Sequence, residues 1–309
     1  MRVHRNLDLL PSFRNPVLTI GTFDGVHTGH QKIIQQLKDE AARIKGETVL
    51  ITFHPHPRVI VHPQKPVKLI TTLDEKIQLL AEKGIDHLVV VPFTANFSSF
   101  TAEEYVRDFL VNRFKPNTII IGYDHRFGHD RAGDYKLLER LASVYDYRLK
   151  EIPEHIIDSV AVSSTRIRDA IRDGKIEVAN DLLGYTFFFG GNVIQGNKLG
   201  RKLGYPTANL QVEKEKLIPG NGVYAVEASY ANVTFKGMMN IGIRPTLTDG
   251  LFMIEVNLFD FDRDIYGEYL KVFVRKYMRP EMKFEGLEPL REQIGKDKQN
   301  VLSVLNASS

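Results

Sequence analysis

Apolar residues follow two different rhythms along the chain, and the change falls past its middle. In the first half, Val17–Ile20 and residues 49–53, 88–91 and 119–121 form short continuous apolar runs. Such runs suit strands covered on both faces, as in a parallel sheet. Between them the spacing is helical. Ile33, Ile34, Leu37, Ala41 and Ile44 share one helical face. Ile77, Leu79 and Leu80 suggest a second helix, and Tyr105, Val106, Phe109 and Leu110 a third. Strand–helix–strand order predicts an α/β fold with an open, doubly wound parallel sheet.

The second half has a period of two. GVYAVEASY, VTFKGMMN, FMIEVNLF and YLKVFVR read as short strands separated by turns. Within residues 252–259, Phe252, Ile254, Val256 and Leu258 share one face, and Met253, Glu255, Asn257 and Phe259 the other. Closely spaced strands without intervening helices predict an antiparallel sheet or small barrel. Leu287, Leu290 and Ile294 then predict a terminal helix. The switch places two domains at residues 1–183 and 184–309, with no internal repeat and no low-complexity segment.

Composition narrows the class. With 43% hydrophobic and 26% charged residues in 309, the chain is an ordinary globular protein long enough for two cores. It has no cysteine, so disulfides and thiolate chemistry are excluded. No apolar stretch reaches the length of a membrane span or a signal peptide, and a cytoplasmic protein with no membrane partner is expected. A net charge of +3 suits small anionic ligands and is too weak to argue for nucleic acid.

The first candidate site is TIGTFDGVHTGHQKII, where a strand runs through a glycine-rich turn into a helix. Gly21, Gly25 and Gly29 allow close backbone approach, and a helix start attracts anions. His27 and His30, three residues apart, add donors for a phosphate. Helix capping and a metal site are the alternatives; a metal needs a third ligand, which His54, His56 or His62 could supply. Neither GxGxxG nor GxxxxGK[ST] occurs here, so a Rossmann dinucleotide site and a Walker-type ATPase are not expected.

GTFDGVHTGH resembles the HxGH signature of the nucleotidylyltransferases, and VSSTRIRDAIRDG resembles their ISSTxIR motif. TFHPHPR and IGYDHRFGHDRAGD are similar to segments of the flavin-specific branch, the bacterial FMN adenylyltransferases. The resemblance implies a Rossmann-like domain that transfers AMP from ATP to FMN, giving FAD and pyrophosphate. It implies that His27, His30 and Arg168 act in catalysis, with Gly21, Phe23, Gly25, Gly29, Ser163, Ser164 and Thr165 around the ATP phosphates. Asp124, Pro55 and Pro57 would contact flavin or adenosine. The family often has phenylalanine where this chain has His125, and the stretch NFSSFTAEEY is looser than its FxxxFxxLSPEEF.

The second candidate site is GGNVIQGNKLGRKLGYPTANL, read as a glycine-rich loop leading to Thr207 and Asn209. Those two residues point the same way if extended, and a hydroxyl with an amide oxygen suits Mg²⁺. A glycine-rich barrel corner is the alternative. GxxxGRKLGYPTAN resembles the riboflavin kinase signature, and LIPGNGVYAV, MNIGIRPTL, IEVNLFDFDRDIYG and RPEMKFEGLEPLREQIGKD continue the resemblance in order. The implied fold is a six-stranded antiparallel barrel with a C-terminal helix. The implied roles are Glu255 in catalysis, Gly196, Gly200, Arg201 and Gly204 at ATP, and Thr207 and Asn209 at Mg²⁺. The domain entrance departs from the family's LGRPYxLxGxV at Tyr185 and Thr186.

Together the motifs identify the chain as similar to the bifunctional riboflavin kinase/FMN adenylyltransferases. The implied partners are riboflavin, FMN and ATP with Mg²⁺, and a weak homo-oligomer is allowed for. A nucleotidylyltransferase for another phosphorylated acceptor, and a non-catalytic flavin- or nucleotide-binding regulator, are the rival readings.

Overall fold

The structure, a computed structural model, describes residues 1–122, 125–152, 162–196, 199–243 and 252–307. The chain divides into two compact units, Met1–Ser164 and Thr165–Ser309.

In the first unit the four apolar runs form β2 (Val17–Ile20), β3 (Thr48–His54), β4 (His87–Pro92) and β5 (Thr118–Gly122). Two further strands, β1 (Arg2–His4) and β6 (Arg148–Ile152), complete a six-stranded sheet of order β1-β4-β3-β2-β5-β6. All its pairings are parallel. The edge strands escape the pattern because RVH and RLKEI are largely exposed and carry no continuous apolar run. Helix α1 (Thr28–Arg43) buries Ile34, Leu37 and Ala41, and α2 (Leu73–Glu82) buries Leu79 and Leu80. Helix α3 (Tyr135–Tyr145) buries Leu138. The third predicted helix forms, but residues Tyr105–Val111 take the wider π-helical pitch. Tyr105 and Phe109, four residues apart, turn their rings into the core with centroids 5.1 Å apart.

The second unit opens with α4 (Ser164–Arg172) and α5 (Ile176–Leu183). Six strands then close a barrel: β7 (Phe188–Ile194), β8 (Ala208–Val212), β9 (Gly222–Tyr230), β10 (Val233–Ile243), β11 (Phe252–Leu258) and β12 (Tyr269–Arg279). Their order is β10-β11-β8-β7-β12-β9, antiparallel throughout. The terminal helix α6 (Leu287–Ala307) packs Val301 and Leu305 against Ala225, Met238 and Phe259. Arg279 fixes that helix by donating from Nε and a terminal guanidinium nitrogen to Asp297, at 2.9 and 2.6 Å.

One expectation is corrected. Residues 190–210 are not a continuous loop: Gly190 and Gly191 lie inside β7, opposite Lys271 and Leu270. Side chains at these positions would run into the Tyr269 ring and the Gln211 backbone. These two glycines serve close packing on the barrel wall rather than a phosphate. Only the stretch between β7 and β8 loops out, with a short helical turn at Leu199–Leu203.

Candidate active sites

In the first unit, β2 lies between β3 and β5. The chain runs outward from β2 through β3 and β4, then returns to β5 on the other side. Ligands of open α/β sheets bind beyond the carboxyl ends of the strands at such a switch. The turn after β2 is at that point and is strained, with φ of 46° at Phe23, 87° at Gly25 and 39° at Val26. Neighbouring segments hold it. Asp24 is buried and accepts from the Ile70 and Thr71 N–H groups at 3.2 and 3.0 Å. The Gly25 N–H donates to Thr71 Oγ1 at 3.1 Å. The Thr22 carbonyl accepts from Thr52 Oγ1 at 3.1 Å and from Lys76 Nζ at 2.7 Å. Ser164 Oγ donates to the Asp24 carbonyl at 3.0 Å, tying the second motif to the first. A Cβ at Gly21 would press on the Phe23 ring at 3.2 Å.

His27 is the N-cap of α1, its Nδ1 accepting from the His30 N–H at 3.4 Å, which puts the ring proton on Nε2. The His27 and His30 rings stack with centroids 3.6 Å apart and planes 18° apart, and Phe23 lies 4.8 Å from His30. His30 Nδ1 is enclosed and has no hydrogen-bond partner. Burial above all, with His27 and Lys76 beside it, holds the His30 pKa well below 6.5, so the ring is neutral. Gly29 is buried in the first helical turn.

Pro55 and Pro57 follow the carboxyl end of β3, half-buried, with Pro57 opening a short helix capped by His56. Ser163 and Thr165 are exposed at the start of α4, and Ser164 is half-buried. Arg168 is buried and Arg166 exposed. Asp124 lies outside the described residues. His125 Nε2, just beyond β5, is enclosed and without a partner; burial, with Arg131 and Arg126 nearby, lowers the His125 pKa to about 4.

In the second unit, β8 and β11 are antiparallel neighbours that set Asn209 directly opposite Glu255. Asn209 is buried and Glu255 half-buried. A Cβ at Gly196 would lie 2.6 Å from Asn209 Cγ, whereas one at Gly200 would run into the Tyr205 carbonyl and only touch Thr207 Oγ1, at 3.4 Å. Gly204 has φ 86° and open space beside it. Arg201 and Thr207 share a cavity of about 510 Å³ with Pro206, Asp262, Arg263 and Tyr266; Asn209 and Glu255 are not on its wall. Asn257, buried on the same strand face as Glu255, donates from Nδ2 to the Pro206 carbonyl at 2.6 Å and fixes the segment that carries Thr207. Among the described residues no group of three acidic, histidine or cysteine side chains could hold a metal. The Thr207 hydroxyl and Asn209 amide are hard, neutral oxygen donors. Too few to capture a bare cation, they suit Mg²⁺ that arrives on nucleotide phosphates.

A family model described as FAD synthetase matches residues 10–166, and one described as riboflavin kinase matches residues 183–305. Bifunctional riboflavin kinase/FMN adenylyltransferase of Buchnera aphidicola is 39% identical over 297 residues, covering 94% of this chain and 95% of the relative. The enzyme of that name from Listeria monocytogenes is 40% identical, covering 93% and 91%. The chain belongs to the bifunctional riboflavin kinase/FMN adenylyltransferase family. A crystal structure described as a macrolide-efflux protein from Streptococcus pneumoniae is also similar, at TM-score 0.86 and 30% identity over 96% of this chain and 97% of that one. Among the described residues no helix is long and apolar enough to cross a membrane.

The structure brings together His27 with His30 and Phe23 in the first unit, and Asn209 with Glu255 and Gly196 in the second, while Thr207 shares a cavity with Arg201 that Asn209 and Glu255 do not line. Sequence reasoning missed Asp24, Thr71, Lys76 and Asn257. Asp24 stands inside the HxGH stretch itself, and Asn257 shares the alternation of Glu255; Thr71 and Lys76 carry no local signal.

Proposed function

We propose that the chain makes FMN from riboflavin in residues 184–309 and FAD from FMN in residues 1–183, with ATP as co-substrate of both steps. The observation that carries this is one juxtaposed pair of motif residues in each unit: His27 stacked on His30 at the switch of the sheet, and Asn209 opposite Glu255 on the barrel. The proposed functional boundary after residue 183 rests on the start of the riboflavin kinase match there, although the two compact units divide earlier, at Ser164.

In the kinase step, the Glu255 carboxylate accepts the proton of the ribityl hydroxyl as its oxygen attacks the γ-phosphorus and ADP leaves. Thr207 and Asn209 would hold Mg²⁺, which when bound neutralises charge on the ATP phosphates. Gly196, Gly200, Arg201 and Gly204 surround the triphosphate, where backbone N–H groups can approach closely. In the adenylyl step, an oxygen of the FMN phosphate attacks the α-phosphorus of ATP and pyrophosphate leaves. No covalent intermediate with the protein is needed, so catalysis is alignment and charge stabilisation. His27 and His30 donate to the phosphates, Gly21, Phe23, Gly25 and Gly29 shape the turn, and Ser163, Ser164, Thr165 and Arg168 hold the leaving pyrophosphate. Pro55 and Pro57 would contact flavin or adenosine, and Asp124, which lies outside the described residues, would do the same by its motif. Neither step calls for a membrane or nucleic acid, and we place the protein in the cytoplasm, associating weakly with itself at most.

Purified protein incubated with riboflavin, ATP and Mg²⁺ tests the proposal when the flavins are separated chromatographically. FMN appearing first and FAD after it is the expected result. FMN alone shows that the N-terminal site has lost its acceptor. Flavin bound without any product overturns the reading in favour of a regulator.

A further inference from the structure

Lys76 is a buried ammonium for which the reactions above have no role. It sits in the first turns of α2 and is 6% exposed. Its ammonium carries three N–H donors, and among the described residues its single hydrogen-bond partner is the Thr22 carbonyl, at 2.7 Å. A buried cation with unfilled donors is costly, and a leucine at this position would pack without that penalty. The charge is therefore kept for something other than stability.

What surrounds it indicates the use. The Thr22 carbonyl begins the strained turn of Phe23, Gly25 and Val26, and the Thr52 hydroxyl supports the same carbonyl. Asp24 faces Lys76 from that turn, and its charge opposes the loss of the lysine proton that burial favours. His30 faces Lys76 from α1, with His27 stacked on it. The neighbouring Glu75 carboxylate is engaged with the Thr72 N–H at 2.9 Å as part of a capping box. Asp24 and His30, which act electrostatically on Lys76, belong to the HxGH turn and its helix.

We propose that Lys76 is a positioning residue for adenylyl transfer: its ammonium locks the Thr22–Val26 turn and keeps a fixed positive charge beside His30. The inference rests on the function proposed above. Two consequences follow from one contact. The turn is held where its histidines can meet phosphate, and a second positive charge on the His30 ring is disfavoured, so His30 meets ATP as a neutral donor.

The test compares the full-length protein with Lys76→Met, which keeps the aliphatic stem, and Lys76→Arg, which keeps the charge. His30 is titrated by NMR on its ring nitrogens without substrate, and FMN and FAD formation are then assayed separately. Lys76→Met should raise the His30 midpoint, burial and His27 still keeping it below 6.5. It should also cut FAD formation roughly ten- to a hundredfold. Lys76→Arg should keep the midpoint low and restore much of the rate. FMN formation should be unchanged in both, which reports an intact barrel, and unchanged ring signals of His27 report the fold of the first unit. Loss of FAD formation with an unmoved His30 midpoint makes Lys76 merely structural and overturns the proposal, as does a variant with both properties intact. If Lys76→Met loses FMN formation as well, the wild type decides. Its His30 signals must respond as Lys76 loses its proton, and independent titrations overturn the proposal. A wild type that makes no FAD at all refutes the functional reading instead, and the substrate-free His30 titration still reads the Lys76 contact.

Discussion

Asn209 and Glu255 occupy directly opposed positions on antiparallel strands β8 and β11. Opposed residues on such a pair share a face, with Cβ atoms about 5 Å apart. On the proposed reading, an amide oxygen suited to a phosphate-bound cation and a carboxylate suited to a hydroxyl proton would therefore act on one stretch of substrate. Glu255→Gln should lower FMN formation by about 10² to 10⁴-fold and leave FAD formation from supplied FMN unchanged. Steady-state assays with each flavin check this. A folded variant that lost both activities would show that the two reactions share a site.

Gly196 is a steric requirement of the same pair. A methyl group there would sit 2.6 Å from Asn209 Cγ and 2.8 Å from Oδ1. Gly196→Ala should therefore displace the Asn209 amide and raise the Mg²⁺ concentration needed for half-maximal FMN formation, with FAD formation intact. An unchanged Mg²⁺ dependence would remove Asn209 from the metal.

Asn257 gives an independent handle on the nucleotide side. Its 2.6 Å bond holds the Pro206 carbonyl next to Thr207. Asn257→Ala leaves that carbonyl unpaired, a loss of about 1–3 kcal/mol. The expected result is a KM for ATP in the kinase step raised about tenfold or more, with the KM for riboflavin nearly unchanged. Equal changes in both would place Asn257 in general barrel stability.

His30→Ala should abolish FAD formation and spare FMN formation. The wild-type pH profile gives a second test. Because burial, then His27 and Lys76, keep His30 neutral well below pH 6.5, kcat for FAD formation should show no loss from His30 protonation as pH falls from 8 to 6.5. An inflection near 6.5 in the wild-type profile, matched by the His30 ring titration, would contradict the neutral assignment.

The buried histidines also set an acid limit on stability. In the folded state His30 and His125 hold their protons less tightly than in the unfolded chain, His125 down to about 4. Above pH 6.5 both states are neutral and these sites contribute nothing pH-dependent. Below it the unfolded chain binds protons that the native protein excludes, so stability falls as pH drops from about 6.5 towards 4. Urea denaturation across this range should show the decline, and His125→Phe should flatten it. A slope identical to wild type would mean that His125 is charged in the fold.

Much of the site was legible because HxGH, STRIR and PTAN are local stretches that put glycine, hydroxyl and histidine groups next to one another in sequence. The buried parallel strands announced themselves as continuous apolar runs. The edge strands β1 and β6 did not, since an exposed strand needs no such run. Gly190 and Gly191 misled for a related reason: glycine permits close approach of a backbone to anything, and here the neighbours are the Tyr269 ring and the Gln211 backbone rather than a ligand.

The sequence by itself determined the two periodicities, the order of the motifs and, through them, the family, because strand alternation, helix starts and glycine turns depend on neighbouring residues. Only the tertiary structure decided that β2 lies at the switch of its sheet, that Asn209 faces Glu255, that Asn257 braces Pro206 and that Lys76 sits beneath the Thr22 carbonyl. Strand order, cross-strand register and the burial of a charge are properties of contacts between segments distant in the chain. No local pattern in either segment carries them.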